Sequence, residues 1–112
     1  MIKNGNIIYE LINGTGKVKD NYDNGKLLFE GKYLNGKRNG NGKEYNDYDG
    51  KLIFEGEYLN GERNRKGKEY ENDILLFEGE YLNGKRNGNG KEYNKYGQLI
   101  FEGVYLNGER KE

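Results

Sequence analysis

The sequence predicts an all-β protein, an antiparallel meander of tandem β-hairpins drawn out into one elongated, twisted sheet. Three observations carry this. A block of about two dozen residues recurs along the chain, apolar and polar residues alternate with period two inside it, and an Asn-Gly pair stands at the same place in each copy. Repeats of this length mark architectures in which each unit covers its apolar face by stacking on its neighbours.

The first block of the repeat reads Phe29-Glu30-Gly31-Lys32-Tyr33-Leu34-Asn35-Gly36. It returns at Phe54–Gly61, Phe77–Gly84 and Phe101–Gly108, with Val104 in the fourth place of the last copy. The copies begin at 29, 54, 77 and 101, so they lie 25, 23 and 24 residues apart. A second block follows the first three copies: Arg38–Tyr45, Arg63–Tyr70 and Arg86–Tyr93. Ile7-Ile8-Tyr9-Glu10 and Asn13-Gly14-Thr15-Gly16-Lys17-Val18 read as worn versions of the two blocks. Length changes fall only in 46–50, 71–74 and 94–97. Turns tolerate insertions, whereas strands in register do not, so these are turns and the remainder is structural.

Within Leu52–Leu59, period two puts Leu52, Phe54, Gly56 and Tyr58 on one face and Ile53, Glu55, Glu57 and Leu59 on the other. Helical spacing yields no such stripe, and the glycines oppose a helix. Asn60-Gly61 is then a two-residue hairpin turn with positive φ at both positions. The return strand covers roughly 63–70, so each repeat is one hairpin, and eight or nine strands follow in all. In the first hairpin a two-residue Asn35-Gly36 turn sets Leu34 against Lys37 and Tyr33 against Arg38. Continued without interruption, it sets Gly31 against Gly40 and Phe29 against Gly42, with aromatics filling the space glycines leave; a three-residue loop would shift this register by one.

Stacking the repeats produces three ladders: Phe29, Phe54, Phe77 and Phe101; Tyr33, Tyr58, Tyr81 and Tyr105; and Leu27, Leu52, Leu75 and Leu99. These ladders read first as the core of a single-domain repeat protein. The other reading is an aromatic groove that holds a partner. On that reading the candidate contacts are the Phe and Tyr ladders, Tyr45, Tyr70 and Tyr93, and the basic residues after each hairpin tip, Arg38, Arg63 and Arg86. Leu99–Leu106 reads as the last strand, with an open edge that invites pairing. Leu99, Phe101, Val104 and Leu106 are therefore candidate self-association residues.

Composition narrows the function. The chain has 19 basic and 19 acidic residues, hence zero formal net charge, without the basic excess of a nucleic-acid binder. It has no His and no Cys, and Thr15 is its sole Thr. The usual zinc, catalytic-triad and thiol chemistries are thereby excluded, and no metal or cofactor is expected. Glu55 and Glu57, repeated as Glu78 and Glu80, could pair as acid and base, but carboxylates recurring in every unit read as a solvated face. Gly14-Thr15-Gly16-Lys17 lacks the strand–loop–helix setting of a phosphate loop. No apolar run approaches the roughly 18 residues of a membrane span, and Met1–Gly5 lacks a signal-peptide core, so the default expectation is a cytoplasmic location.

The pattern Phe-Glu-Gly-Xaa-Tyr-Xaa-Asn-Gly-Lys-Arg-Asn-Gly-Xaa-Gly resembles the MORN repeat, the "membrane occupation and recognition nexus" motif. Tyr96-Gly97-Gln98-Leu99 is similar to the spacing of bacterial MORN-like variants. Phe and Tyr stand where MORN repeats often carry Tyr and Trp, and Arg65 stands where the other copies have Gly40 and Gly88. The resemblance implies a hairpin rod or trough with roles in protein interaction, scaffolding and dimerisation, and contact with lipid.

The expected organisation is one repeat domain, 1–112: a degenerate half repeat at about 7–28, repeats at about 29–53, 54–76 and 77–100, and a terminal half repeat at 101–112. The expected function is a non-catalytic module for protein–protein interaction or scaffolding, binding a protein partner or itself. Three alternatives stand beside it: a membrane-surface adaptor for anionic lipid, an antitoxin-like neutralising protein suggested by the resemblance, and a fibre-forming structural protein.

Overall fold

The structure is a computed structural model that describes residues 2–3, 6–12 and 15–111, with side chains described for 15–111. The strands, in chain order, are β1 (Ile2–Lys3), β2 (Asn6–Ile12), β3 (Thr15–Asn21), β4 (Leu27–Leu34), β5 (Lys37–Tyr45) and β6 (Leu52–Leu59). They continue as β7 (Glu62–Glu71), β8 (Ile74–Leu82), β9 (Lys85–Tyr93), β10 (Leu99–Leu106) and β11 (Glu109–Lys111). Each pairs antiparallel with its sequence neighbour, in the order β1 to β11, and the sheet does not close. Nine strands have seven residues or more, and β1 and β11 are short additions at the two ends. The molecule measures 46 × 28 × 17 Å. Side chains of the worn block Ile7–Glu10, and Asn13 and Gly14 altogether, lie outside the described residues.

The hairpin tips are those the Asn-Gly pairs demand. Asn35, Asn60, Asn83 and Asn107 all have φ of 51°, and the glycine after each has φ of 81–93°. The last three tips are also tied to the unit before them: the Gly61, Gly84 and Gly108 amides donate to the Arg38, Arg63 and Arg86 carbonyls at 2.8–3.0 Å.

The register departs from simple continuation at one place per hairpin. Leu34 faces Lys37 and Tyr33 faces Arg38 as expected, but Gly31 then faces Gly42 and Phe29 faces Glu44. Two additional residues bulge from β5 around Gly40, whose φ is +94°. The same two-residue shift recurs in β7 and β9, centred on Arg65 (φ 64°) and Gly88 (φ 106°). A two-residue shift preserves the alternation of faces, so the polar–apolar pattern carries no trace of it.

The core lies on one face of this single sheet. Phe29, Phe54 and Phe77 are fully buried, Tyr58, Tyr81 and Tyr105 nearly so, and Tyr33 and Phe101 pack against them. Phe54 and Phe77 each meet the Tyr of their own unit and the Tyr of the next edge-to-face, as in Phe54–Tyr58 (5.7 Å) and Phe54–Tyr81 (5.3 Å), while Phe29 meets Tyr58 edge-to-face and Tyr33 at a tilt of 58°. This geometry suits the quadrupoles of the rings. The tips of the Phe rings lie against a row of glycines. A Cβ on Gly42 would sit 2.5 Å from the Phe29 ring, and one on Gly31 2.7 Å from backbone. The leucine ladder does not join this core: Leu27, Leu52 and Leu75 are half-buried and Leu99 is 51% exposed. A one-residue bulge just before each of Phe54, Phe77 and Phe101 takes the preceding residues out of the Phe–Gly–Tyr row.

Candidate functional site

On the core face, the second block supplies a lid over the aromatics. Arg38, Arg63, Arg86 and Arg110 each lie over the Phe of their own hairpin, 4.0–4.7 Å from the ring centroid. Three of them also reach a carboxylate at the end of the previous unit's return strand. Arg63 holds Glu44 through Nε and Nη2 (2.9 and 3.1 Å), Arg86 holds Glu69 (2.9 and 3.0 Å), and Arg110 holds Glu92 (2.9 and 2.9 Å). The hydroxyls of Tyr58, Tyr81 and Tyr105 donate to the same three carboxylates. Each of these three joints is thus a Tyr–Glu–Arg cluster, with the Tyr buried, the Glu half-buried and the Arg half-buried except for the exposed Arg110, and charge-assisted bonds at covered positions are stronger than in water.

The electrostatics follow from this. Burial alone would raise the Glu44 and Glu69 carboxyls, but the Arg and Tyr hydrogen bonds and the Arg charge outweigh it and leave both below the ordinary value. The Arg110 bond, against a smaller burial effect and aided by Tyr105, takes Glu92 down to about 2. Burial, together with the bond to its carboxylate, pushes Tyr105 up to about 12.

The opposite face carries different chemistry. Lys19, Glu30, Lys43, Glu55, Lys68, Glu78, Lys91 and Glu102 stand directly opposite one another on consecutive strands, one residue per strand from β3 to β10. Here too a Tyr engages every Glu but the last. Tyr45 donates to Glu30, Tyr70 to Glu55 at 2.6 Å and Tyr93 to Glu78 at 2.7 Å. Lys43, Lys68 and Lys91 are exposed and make no ion pair among the described residues. A second row, with Lys17, Lys32, Glu57, Lys66 and Glu80, runs beside the first. Between the rows lies an open furrow of about 1170 Å³, floored by backbone from Val18 and Gly31 through Gly103. Further along the same face Leu34, Leu59, Leu82 and Leu106 form a line of side chains 45–53% exposed.

The candidate residues therefore separate. Phe29, Phe54 and Phe77 have no exposed surface, and Tyr58, Tyr81 and Tyr105 almost none, so they present nothing to a partner. Their area is taken up by packing within the chain. Arg38, Arg63 and Arg86, the candidate contacts after the hairpin tips, fold back over the rings, half-buried. Tyr45, Tyr70 and Tyr93 are half-buried on the furrow face. Leu99, Val104 and Leu106 are exposed, and Phe101 is partly covered. β10 is not the last strand: β11 pairs with Val104, Tyr105 and Leu106 and covers that part of its edge. The furrow and its charged ladder escaped the sequence reading. The recurring Glu-Gly pair of the first block, with Lys directly after Gly42, Gly67 and Gly90 in the second, was the available signal.

Among the described residues no group of three or more His, Cys, Asp or Glu is placed to hold a metal ion. No helix among them is long and apolar enough to cross a membrane. Compared with known families, the chain matches the MORN repeat model in three consecutive stretches, 29–50, 54–72 and 77–95, together more than half of its length. No curated protein matches the chain. The matched stretches each begin on the buried Phe of a hairpin and extend past its second-block Tyr.

Proposed function

The chain belongs to the MORN repeat family, and from that premise we propose that it is a non-catalytic scaffolding module that holds a protein partner on its furrow face. MORN repeats generally mediate protein or membrane interactions, and the family is generally non-catalytic. The observation that carries the choice of face is the exposed line of Leu34, Leu59, Leu82 and Leu106 beside an open furrow. The other face spends its aromatics and arginines on its own joints. Apolar side chains aligned beside polar ones are what a contact surface needs. The charges of the furrow alternate in sign, which favours a polypeptide over an anionic membrane.

The test is a pull-down with immobilised protein, wild type against a variant with L34S, L59S and L82S, both checked for an unchanged melting temperature. A specific protein retained by the wild type and lost by the variant is expected. Retention by both would move the contact off this face. A salt-sensitive association with anionic vesicles and no retained protein would replace this reading with the membrane adaptor.

A further inference from the structure

The geometry points to a second copy of this chain as an occupant of the furrow, laid face to face and antiparallel about a two-fold axis. This rests on the interaction-module reading above and names one partner for it.

The argument starts from the order of charges. From β3 to β10 the first row reads Lys, Glu, Lys, Glu, Lys, Glu, Lys, Glu. An alternating row with an even number of members reverses every sign when read backwards. A two-fold axis along the strand direction, passing between β6 and β7, performs that reversal. It brings Lys19 against Glu102, Glu30 against Lys91, Lys43 against Glu78 and Glu55 against Lys68 of the second copy. The interface is isologous, so every contact occurs twice. The second row obeys the same operation without a like-charge encounter: Glu57 meets Lys66, Asn41 meets Glu80, Lys32 meets Asn89 and Lys17 meets Val104.

Spacing selects the partner. Neighbouring strands lie about 4.8 Å apart, so the charges alternate at that repeat. Same-side residues of an extended peptide recur at about 6.8 Å, and facing residues of a helix at about 5–6 Å, so both drift out of step along eight positions. Only another sheet repeats at the same interval, and a copy of this one is complementary at every position. The glycine-row floor leaves room for the long Lys and Glu side chains of the partner to lie in the furrow. The three lysines that would enter it, Lys43, Lys68 and Lys91, are exposed and make no ion pair among the described residues. The same rotation places Leu34, Leu59 and Leu82 of one copy over β9, β7 and β5 of the other, interleaving the leucines of both into one stripe. A face of 46 × 28 Å exceeds the roughly 800 Å² per partner of a standard interface.

The experiment is light scattering behind size-exclusion chromatography across a wide concentration range, at low and high salt, followed by zero-length carbodiimide cross-linking. Expected are a dimer weakened by salt and intermolecular cross-links Lys91–Glu30 and Lys43–Glu78. Within one copy these pairs lie five and three strands apart, about 24 and 14 Å, beyond a zero-length link. The variant K43E/K68E/K91E should weaken the dimer by on the order of 100-fold or more, because each reversal sets like charges together twice. Should its melting temperature fall, K68E alone, at an exposed site that makes no ion pair among the described residues, must still weaken the dimer measurably. A monomer at all concentrations overturns the proposal, as does a dimer lacking both cross-links or indifferent to K68E. None of these outcomes decides the pull-down, which tests the face for other proteins.

Discussion

The joint between β3 and β4 and the three joints that follow it are one device built with carboxylates of two lengths. In the later joints Glu44, Glu69 and Glu92 reach both a Tyr hydroxyl and an Arg guanidinium of the next hairpin. In the first, Asp20 takes the same place. It accepts from Tyr33 at 2.6 Å, but no ion pair to Arg38 forms and its Oδ1 is buried without a hydrogen-bond partner among the described residues. Arg38 keeps its seat over Phe29 at 4.0 Å. One methylene thus separates a closed cluster from an open one. A buried oxygen left without a donor costs about 1–3 kcal/mol, so the first joint is the weak one.

The comparison breaks most fully when the three closed joints are titrated together. Glu44, Glu69 and Glu92 are held below the ordinary carboxyl value, Glu92 at about 2. A depressed folded-state pKa contributes stability that is present above the unfolded value and lost as pH falls through the folded one. Stability should therefore decline from about pH 4.5 toward pH 2. At the alkaline end Tyr33, Tyr70 and Tyr105, each raised to about 12 by burial and a carboxylate bond, have the opposite sign. Their contribution is present below pH 10 and is lost as pH rises toward 12. Urea midpoints across both ranges measure this, and a midpoint flat between pH 5 and 2 would refute it.

Single joints sharpen the contrast. Removing one partner of a buried ion pair costs about 3–5 kcal/mol, and partial exposure of Glu69 and Arg86 lowers the expectation for Glu69→Ala to about 2 kcal/mol. Asp20→Ala, which removes one hydrogen bond and also the stranded oxygen, should cost about 1 kcal/mol or less. Asp20→Glu should stabilise by about 1 kcal/mol by bringing the carboxylate to Arg38. Chemical denaturation of the three variants decides it; equal losses for the two alanine variants would mean that the joints do not differ.

Much of this was legible in the sequence. Asn-Gly fixed the hairpin tips, and the Phe and Tyr ladders marked the core face, because a glycine beside an aromatic on one face has few other uses. The family match at 29–50, 54–72 and 77–95 supports the MORN repeat recognised in the residues. Three things were not legible. The bulges at Gly40, Arg65 and Gly88 shift register by two and leave the pattern intact. Leu27, Leu52, Leu75 and Leu99, two places before each Phe, look like core in a string of letters, yet the one-residue bulge takes them out of it. The ladder of Lys and Glu becomes visible only when register sets Lys43 opposite both Glu30 and Glu55.

The smallest expected effect concerns the one repeat that departs from glycine at its bulge. Arg65 occupies the left-handed region at φ 64°, where Gly40 and Gly88 have φ of 94° and 106°. For a non-glycine residue that conformation costs about 1 kcal/mol. Arg65 is exposed and forms no ion pair within the described residues, so its side chain returns little of that cost. Glycine there frees the strained backbone but also adds conformational freedom to the unfolded chain, which offsets part of the gain. Arg65→Gly should therefore stabilise by about 0.5 kcal/mol. Gly88→Arg, the reverse change one repeat on, should destabilise by more, since a Cβ there would sit 2.9 Å from Glu80 Oε2 and the φ is less accommodating. Thermal melts of the pair measure both. A loss of stability in Arg65→Gly would mean that the arginine holds the bulge through a contact worth more than its backbone strain.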